Sequence, residues 1–347
     1  MDSEILFSSE GGLGRVLLNR PKALNALTLE MCHALEARLR AWATDDGIAA
    51  VVVRGAGERA FCAGGDIRRL SEAAQAGEDY AYRFWHDEYR LNALISHYAK
   101  PYLALIDGIV MGGGVGLSVH GRYRVVSEHA LFAMPETGIG FFPDVGGSFF
   151  LPRCPGQIGL YLGLTGHRLK AADMLYAGIA THFVPRARLP ALEEALAAAG
   201  RGAIDTVLAR FAEDPGAAYL PAHQAEIDDL FGRPSPEAIL AALAASETEF
   251  AHHTRETLAR KSPTSLALAF REIRAGAALD IDDCLRMEWR MASHAPGHLP
   301  DFHEGVRAVI IEKHNKPSWS PARLADVDHA AIDAFFAPAA RGELDIP

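Results

Sequence analysis

Cysteine is scarce: four in 347 residues, at Cys32, Cys62, Cys154 and Cys284, with no CxxC pair among them. That spacing excludes a disulfide-framed scaffold and a cysteine zinc site, and it reads as reduced core thiols of a reducing compartment. Positive charge is short as well. Lysine and arginine total 34 against 44 acids, a net charge of −10. Such a chain has no global attraction for nucleic acid or anionic lipid, so any phosphate contact must be local. Long apolar runs are missing: Gly108–Val119 extends for 12 residues, several of them glycine, where a membrane span needs about 20. The first ten residues carry acids at Asp2 and Glu4 and no basic flank. They read as neither a signal nor a transit peptide, and the expectation is a cytoplasmic protein. GxGxxG, GK[ST] and GxSxG are also lacking, which argues against a dinucleotide fold, a P-loop and a serine nucleophile elbow.

What is present is an ordinary packed composition, 49% hydrophobic and 22% charged. At about 150 residues per domain the length suggests roughly two units. Arg15–Asn19, Ala49–Arg54, Tyr102–Ile106 and Tyr123–Val126 read as strands, two of them apolar enough to be buried on both faces. Thr28 is placed to cap a helix reaching about Ala43, with Leu35, Leu39 and Trp42 on one face. A second helix is expected from Asp79 to about His97, ending before Lys100-Pro101. Alternation of strand and helix indicates an α/β layered core. Beyond about residue 186 strand signals stop. Helices are predicted at Leu192–Ala199, Ala203–Phe211, Pro236–Arg260 and Pro263–Ala275. The expected division is an α/β core with the active site over 1–186 and a mainly helical C-terminal region over 187–347.

Three segments carry chemistry. Gly112-Gly-Gly-Val-Gly116 stands at the start of a predicted helix, where backbone N–H groups point outward and stabilise anionic oxygen. Phe61-Cys-Ala-Gly-Gly-Asp-Ile67 is a second glycine turn, expected directly after the Val51–Val53 strand. One N–H from each turn, converging on a single carbonyl oxygen, makes an oxyanion hole. The third segment, Met134 to Gly147, holds Glu136 and Asp144 within a stretch, Leu131–Pro152, that has no lysine or arginine. Carboxylates in apolar surroundings have raised pKa values and act as acids or bases near neutral pH. By pattern alone Glu88 is a solvated helix acid. Two histidines, His294 and His298, are separated by a proline and a glycine that argue against a continuous helix and hence against a metal pair.

These segments together resemble the crotonase (enoyl-CoA hydratase/isomerase) superfamily. The matching pieces are Asn19–Ala26, Phe61–Ile67, Gly112–Gly116 and the Pro135-Glu136 loop. Further likeness in Met111–Gly121, Phe132–Gly147, Ser262–Ser265 and Asp301–Val309 points to a thioester-hydrolysing branch. The resemblance implies a spiral of ββα units with a helical C-terminal region. It also implies an acyl-CoA substrate whose carbonyl is held by the Gly65 and Gly113 N–H groups, with Glu136 and Asp144 catalytic and Glu88 and Gly113 in the substrate site. It places the CoA nucleotide near Arg20, Lys22, Ala23 and Leu24, with Asp66 and Arg68 beside it. Typical hydratases have a second glutamate where Gly116 stands here, so hydration is disfavoured.

The function expected is hydrolysis of a short β-hydroxyacyl-CoA thioester, first of all 3-hydroxyisobutyryl-CoA from valine breakdown. The alternatives are an enoyl-CoA isomerase or hydratase of the same superfamily and a non-catalytic acyl-CoA-binding protein. The chemistry calls for neither a metal nor a redox cofactor, CoA being part of the substrate. Relatives of the superfamily assemble as trimers or larger, but the C-terminal region could alter that, so a homo-oligomer is one option and the oligomeric state stays open.

Overall fold

A computed structural model describes residues 3–199 and 201–346. The strands are β1 (Ile5–Glu10), β2 (Leu13–Leu18), β3 (Ala50–Gly55), β4 (Ala60–Cys62), β5 (Tyr102–Ile106), β6 (Ile109–Met111), β7 (Tyr123–Val126), β8 (Leu131–Ala133) and β9 (His182–Phe183). They form a six-stranded sheet in the order β1-β2-β3-β5-β7-β9 and a three-stranded sheet in the order β4-β6-β8. β1 and β2 are antiparallel; every other pairing is parallel. Three times the chain leaves the large sheet for the small one, from β3 to β4, β5 to β6 and β7 to β8. This is the ββα spiral.

The nearly continuous apolar strands follow from burial on both faces. Val51 and Val53 join the main core with Leu35, Leu39 and Trp42. Val52, on the alternate face, meets Leu103, Leu105 and Val125 under Leu192, Leu196 and Leu208. Period-two alternation sends neighbours to opposite faces, so a strand with apolar layers on both sides loses its polar positions. The helices of the second layer are Leu189–Ala199 and Ile204–Phe211.

Helix α1 (Leu29–Thr44) starts at Thr28, whose hydroxyl accepts from the Met31 N–H at 3.2 Å. Helix α2 (Ile67–Gln75) is capped by Asp66. Helix α3 (Tyr80–Ser96) buries Trp85, Glu88, Tyr89 and Asn92, a spacing that sets one stripe inward.

The structure corrects three expectations. The glycine turns do not follow the strands of the large sheet; they follow β4 and β6, three-residue strands too short to show a period. The helix expected over Pro236–Arg260 is two helices, Pro236–Ala245 and Glu249–Leu258. Ser246 is extended between them and Thr248 caps the second through the Ala251 N–H, because Ser and Thr hydroxyls compete for backbone donors. The His294-Ala-Pro-Gly-His298 run is helical, within Ile281–His298. Pro296 lies in the last turn, where it forgoes its own N–H bond but the helix has only two residues left to displace. The main cluster of buried apolar side chains draws on residues from Ile5 to Leu344, and a second, smaller one lies on the other face of the large sheet. Among the described residues, no helix is long and apolar enough to cross a membrane.

Candidate functional site

Strands β4, β6 and β8 lie side by side and parallel, with Cys62 opposite Val110 and Met111 opposite Ala133. Their C-terminal ends therefore share one edge, and each is followed by a candidate segment: the Gly64-Gly65 turn, the Gly112–Gly116 turn and Glu136. At this edge of the sheet opens a cavity of about 470 Å³. Gly65, Gly113, Glu88, Glu136 and Asp144 all line it. A wider cleft of about 800 Å³ lies on the other side of the large sheet. Its cations are already matched, Arg15 to Glu193 at 2.6 Å and Arg186 to Asp107 at 3.0 Å.

The two turns approach so closely that side chains are excluded. A β-carbon on Gly113 would lie 2.3 Å from Glu88 Oε1 and 3.3 Å from the Gly65 nitrogen. Gly112 sits at φ +47° and Gly64 at φ +115°, conformations open to glycine. Among the described residues neither the Gly65 nor the Gly113 N–H donates to a backbone acceptor. Two adjacent unspent donors facing one cavity are suited to a single anionic oxygen.

The carboxylates stand around these donors. A β-carbon on Gly112 would lie 3.3 Å from Glu136 Oε1, while Glu136 Oε2 is buried and has no hydrogen-bond partner. Burial, with Asp144 adding to it, pushes Glu136 well above the usual carboxylate range, opposed by Lys261. Burial lifts Asp144 to about 7, although the Tyr89 hydroxyl favours its charged form. Glu88 is buried, not solvated, with Oε1 unpartnered; burial and then Asp144 push it upward. The acids thus form an interacting group able to take and release a proton near neutral pH.

Position 116 is closed to a side chain. A β-carbon there would lie 2.7 Å from Asn92 Nδ2 and 2.8 Å from Val145 Cβ.

Arg20, Lys22, Ala23, Leu24, Asp66 and Arg68 are not on the cavity wall. Arg20 is held by Glu4 at 3.0 Å and Asp66 at 3.1 Å, and Arg68 pairs with Glu72 at 2.8 Å. Their segment nevertheless adjoins the first glycine turn, since the Ala63 N–H donates to the Leu24 carbonyl at 3.0 Å. Lys22 and Ala23 are exposed.

Sequence reasoning did not find Lys261, Arg168 and Arg260, which line the cavity, or Tyr89 and Glu288. The signal for Lys261 was its neighbour, the Ser262–Ser265 segment. Ser262 Oγ donates to Asp301 Oδ2 at 2.6 Å and accepts from the Ser265 N–H. One hydroxyl therefore joins both distant motif pieces beside the cavity. Glu288 binds the acid loop from below, accepting from the Gly146 N–H at 2.7 Å and the Ser148 N–H at 2.9 Å.

A family profile described as enoyl-CoA hydratase/isomerase matches residues 13–336. The chain is 48% identical to the mitochondrial 3-hydroxyisobutyryl-CoA hydrolase of Danio rerio, over 96% of this chain and 89% of that protein. It is 46% identical to the protein of the same name from Xenopus tropicalis, over 99% of this chain and 91% of that one. Among solved structures, one described as a carnitinyl-CoA dehydratase from Mycobacterium thermoresistibile superposes with a TM-score of 0.93 at 42% identity, covering 98% of both chains.

Proposed function

The chain belongs to the enoyl-CoA hydratase/isomerase family, and on that premise we propose that it hydrolyses a short β-hydroxyacyl-CoA thioester, 3-hydroxyisobutyryl-CoA. The observation that carries this reading is the meeting of Glu136 and Asp144 with the unspent Gly65 and Gly113 N–H groups in one cavity. The shared name of the two curated relatives supports the choice of substrate.

In this reading the thioester carbonyl oxygen accepts from both N–H groups, each worth about 3–4 kcal/mol as charge develops on it. The Glu136 carboxylate either removes a proton from water as that water adds to the carbonyl carbon, or adds to the carbon itself. The tetrahedral adduct collapses, the C–S bond breaks, and CoA leaves as its thiolate. In the first route the thiolate takes the proton that Glu136 removed from water; in the second, water then cleaves the acyl–Glu136 anhydride and frees the acid and the carboxylate. Asp144 orients the water or the substrate hydroxyl and shares the proton load. Glu88 borders the acyl group. The nucleotide runs over the exposed loop from Arg20 to Leu24, next to Asp66 and Arg68. In this reading every step is served by the chain's own groups, the substrate and water, and calls for no cofactor.

The dehydratase description of the solved neighbour offers a rival, hydration of an enoyl-CoA or the reverse dehydration of a hydroxyacyl-CoA. The closed position 116 weighs against it, since a second acid has no room there. The deciding assay is thiol release from 3-hydroxyisobutyryl-CoA, run beside 3-hydroxypropionyl-CoA and crotonyl-CoA. Free CoA from the hydroxyacyl esters alone is the expected result. Absence of thiol, with hydrated or isomerised products instead, would replace the proposal by the rival.

The four buried free thiols support a reducing compartment. The cytoplasm, our reading, meets that condition; the relatives are named as mitochondrial, and cell fractionation separates the two. Self-association is part of the same proposal, and sedimentation reads whether the chain associates and into what assembly.

A further inference from the structure

Lys261 enters the cavity from the helical half of the chain. Its neighbour is tied to the acid loop: the Ser262 N–H donates to the Thr137 carbonyl at 3.0 Å, one residue beyond Glu136. Two glycines leave room for the ammonium, since a β-carbon at Gly138 or at Gly166 would lie 3.3 Å from Lys261 Nζ. Lys261 is partly buried, and desolvation lowers it to about 8 while Glu136 acts in the opposite direction. Among the described residues its ammonium makes no hydrogen bond and stands in no close ion pair. A partly desolvated cation without a direct partner is favoured where it answers a nearby charge.

The charge it answers is Glu136. The elements packed on the acid loop carry mostly acids: besides Asp144 on the loop itself, Glu88 and Tyr89 on α3, Glu272 on the helix Pro263–Gly276, Glu288 on Ile281–His298 and Asp301 on Pro300–Gly305, with Asp144 and Glu272 interacting with Glu136 directly. The cations on this side are Lys261, Arg168 and Arg260, and both arginines are exposed. Without a cation the acids and the apolar wall favour protonated Glu136, which neither accepts the water proton nor attacks a carbonyl.

We propose that Lys261 is a positioning residue for the reaction: its ammonium, supplied by the C-terminal half, holds Glu136 as a carboxylate facing the cavity. This rests on the reading of Glu136 as the reacting acid. In the step itself the water O–H bond breaks and its proton passes to Glu136, while Lys261 stays an ammonium ion throughout. If Glu136 attacks directly, the same charge keeps its oxygen nucleophilic.

The test follows Glu136 itself. In full-length protein carrying ¹³C-labelled glutamate, the Glu136 carboxyl signal is assigned by its loss in Glu136→Gln and then titrated. Lys261→Met is expected to move that midpoint up by about one pH unit, and the acid limb of kcat/KM on the hydroxyacyl-CoA ester moves with it. Lys261→Arg is expected to keep both near the wild-type position. If Lys261→Met does not fold, Lys261→Gln is read in its place. An unmoved midpoint and limb, even with lower activity, would overturn the proposal and leave Lys261 a packing or substrate contact. Should Glu136→Gln retain turnover while the midpoint still moves, the role of Glu136 fails but its coupling to Lys261 stands.

Discussion

The Tyr89 hydroxyl donates a 2.8 Å hydrogen bond to Asp144 Oδ2, Tyr89 being enclosed on α3 and Asp144 buried at the cavity wall. A phenol donating to a carboxylate favours the charged form, and this bond works against the burial that lifts Asp144 to about 7. In Tyr89→Phe the restraint is gone and Asp144 titrates higher. The acid limb of the kcat profile should move to higher pH by about one unit, the worth of a charge-assisted hydrogen bond. A profile that keeps its position would mean that Asp144 works as the neutral acid.

Glu136→Gln preserves shape and removes the proton acceptor. Turnover should fall by roughly 10²–10⁴-fold, the usual contribution of a general base. Affinity for CoA, measured by calorimetry, should change only slightly, because the glycine turns and the outer loop are untouched. Asp144→Asn acts in the opposite sense on pH. It removes a negative neighbour that pushes Glu136 up, so whatever activity remains should have its acid limb at lower pH than the wild type.

Gly116→Glu tests the exclusion of a second acid. With Asn92 Nδ2 only 2.7 Å from the first side-chain atom, the substitution should destabilise the fold by about 1–3 kcal/mol, as overpacking does. It should not create hydration of crotonyl-CoA. A stable variant that hydrates crotonyl-CoA would show that the branch point between the two reactions lies elsewhere.

Glu288 predicts how stability varies with pH. Burial is the largest cause that raises it to about 8, despite its bonds to Ser148 and Gly146. Glu272, buried with both carboxylate oxygens unpartnered, is pushed upward too. A carboxyl group whose folded pKa exceeds its unfolded value binds more protons when folded, so stability declines as pH rises between the two values. Thermal unfolding should therefore give a higher Tm near pH 5.5 than near pH 8.5, and Glu288→Gln should flatten the difference. A Tm that rises across that interval would rule this linkage out.

Much of the frame was legible because its signals are local. The Tyr102–Ile106 and Tyr123–Val126 strands have the expected bounds, and α1 begins at the Thr28 cap and carries Leu35, Leu39 and Trp42 inward. The strands β4, β6 and β8 were not legible. Three residues show no alternation, and what makes them strands is pairing with one another across roughly 70 residues of chain. The division of the chain near Ser246 and the helical course through Pro296 were missed because each depends on a balance of capping and packing that composition does not resolve.

The sequence by itself determined the ingredients: two glycine turns, an acid loop without lysine or arginine, and motif pieces enough to identify the superfamily. These are properties of short stretches, where residue type sets backbone freedom or solvation directly. Only the tertiary structure decided that Glu88 is buried against Gly113 rather than solvated, that Gly116 has no space for a side chain, and that Lys261 reaches a cavity built mainly by the first half. Burial, clearance and the field at a carboxylate depend on distances between segments far apart in the chain, and those distances exist only once the small sheet has set its three strand ends side by side.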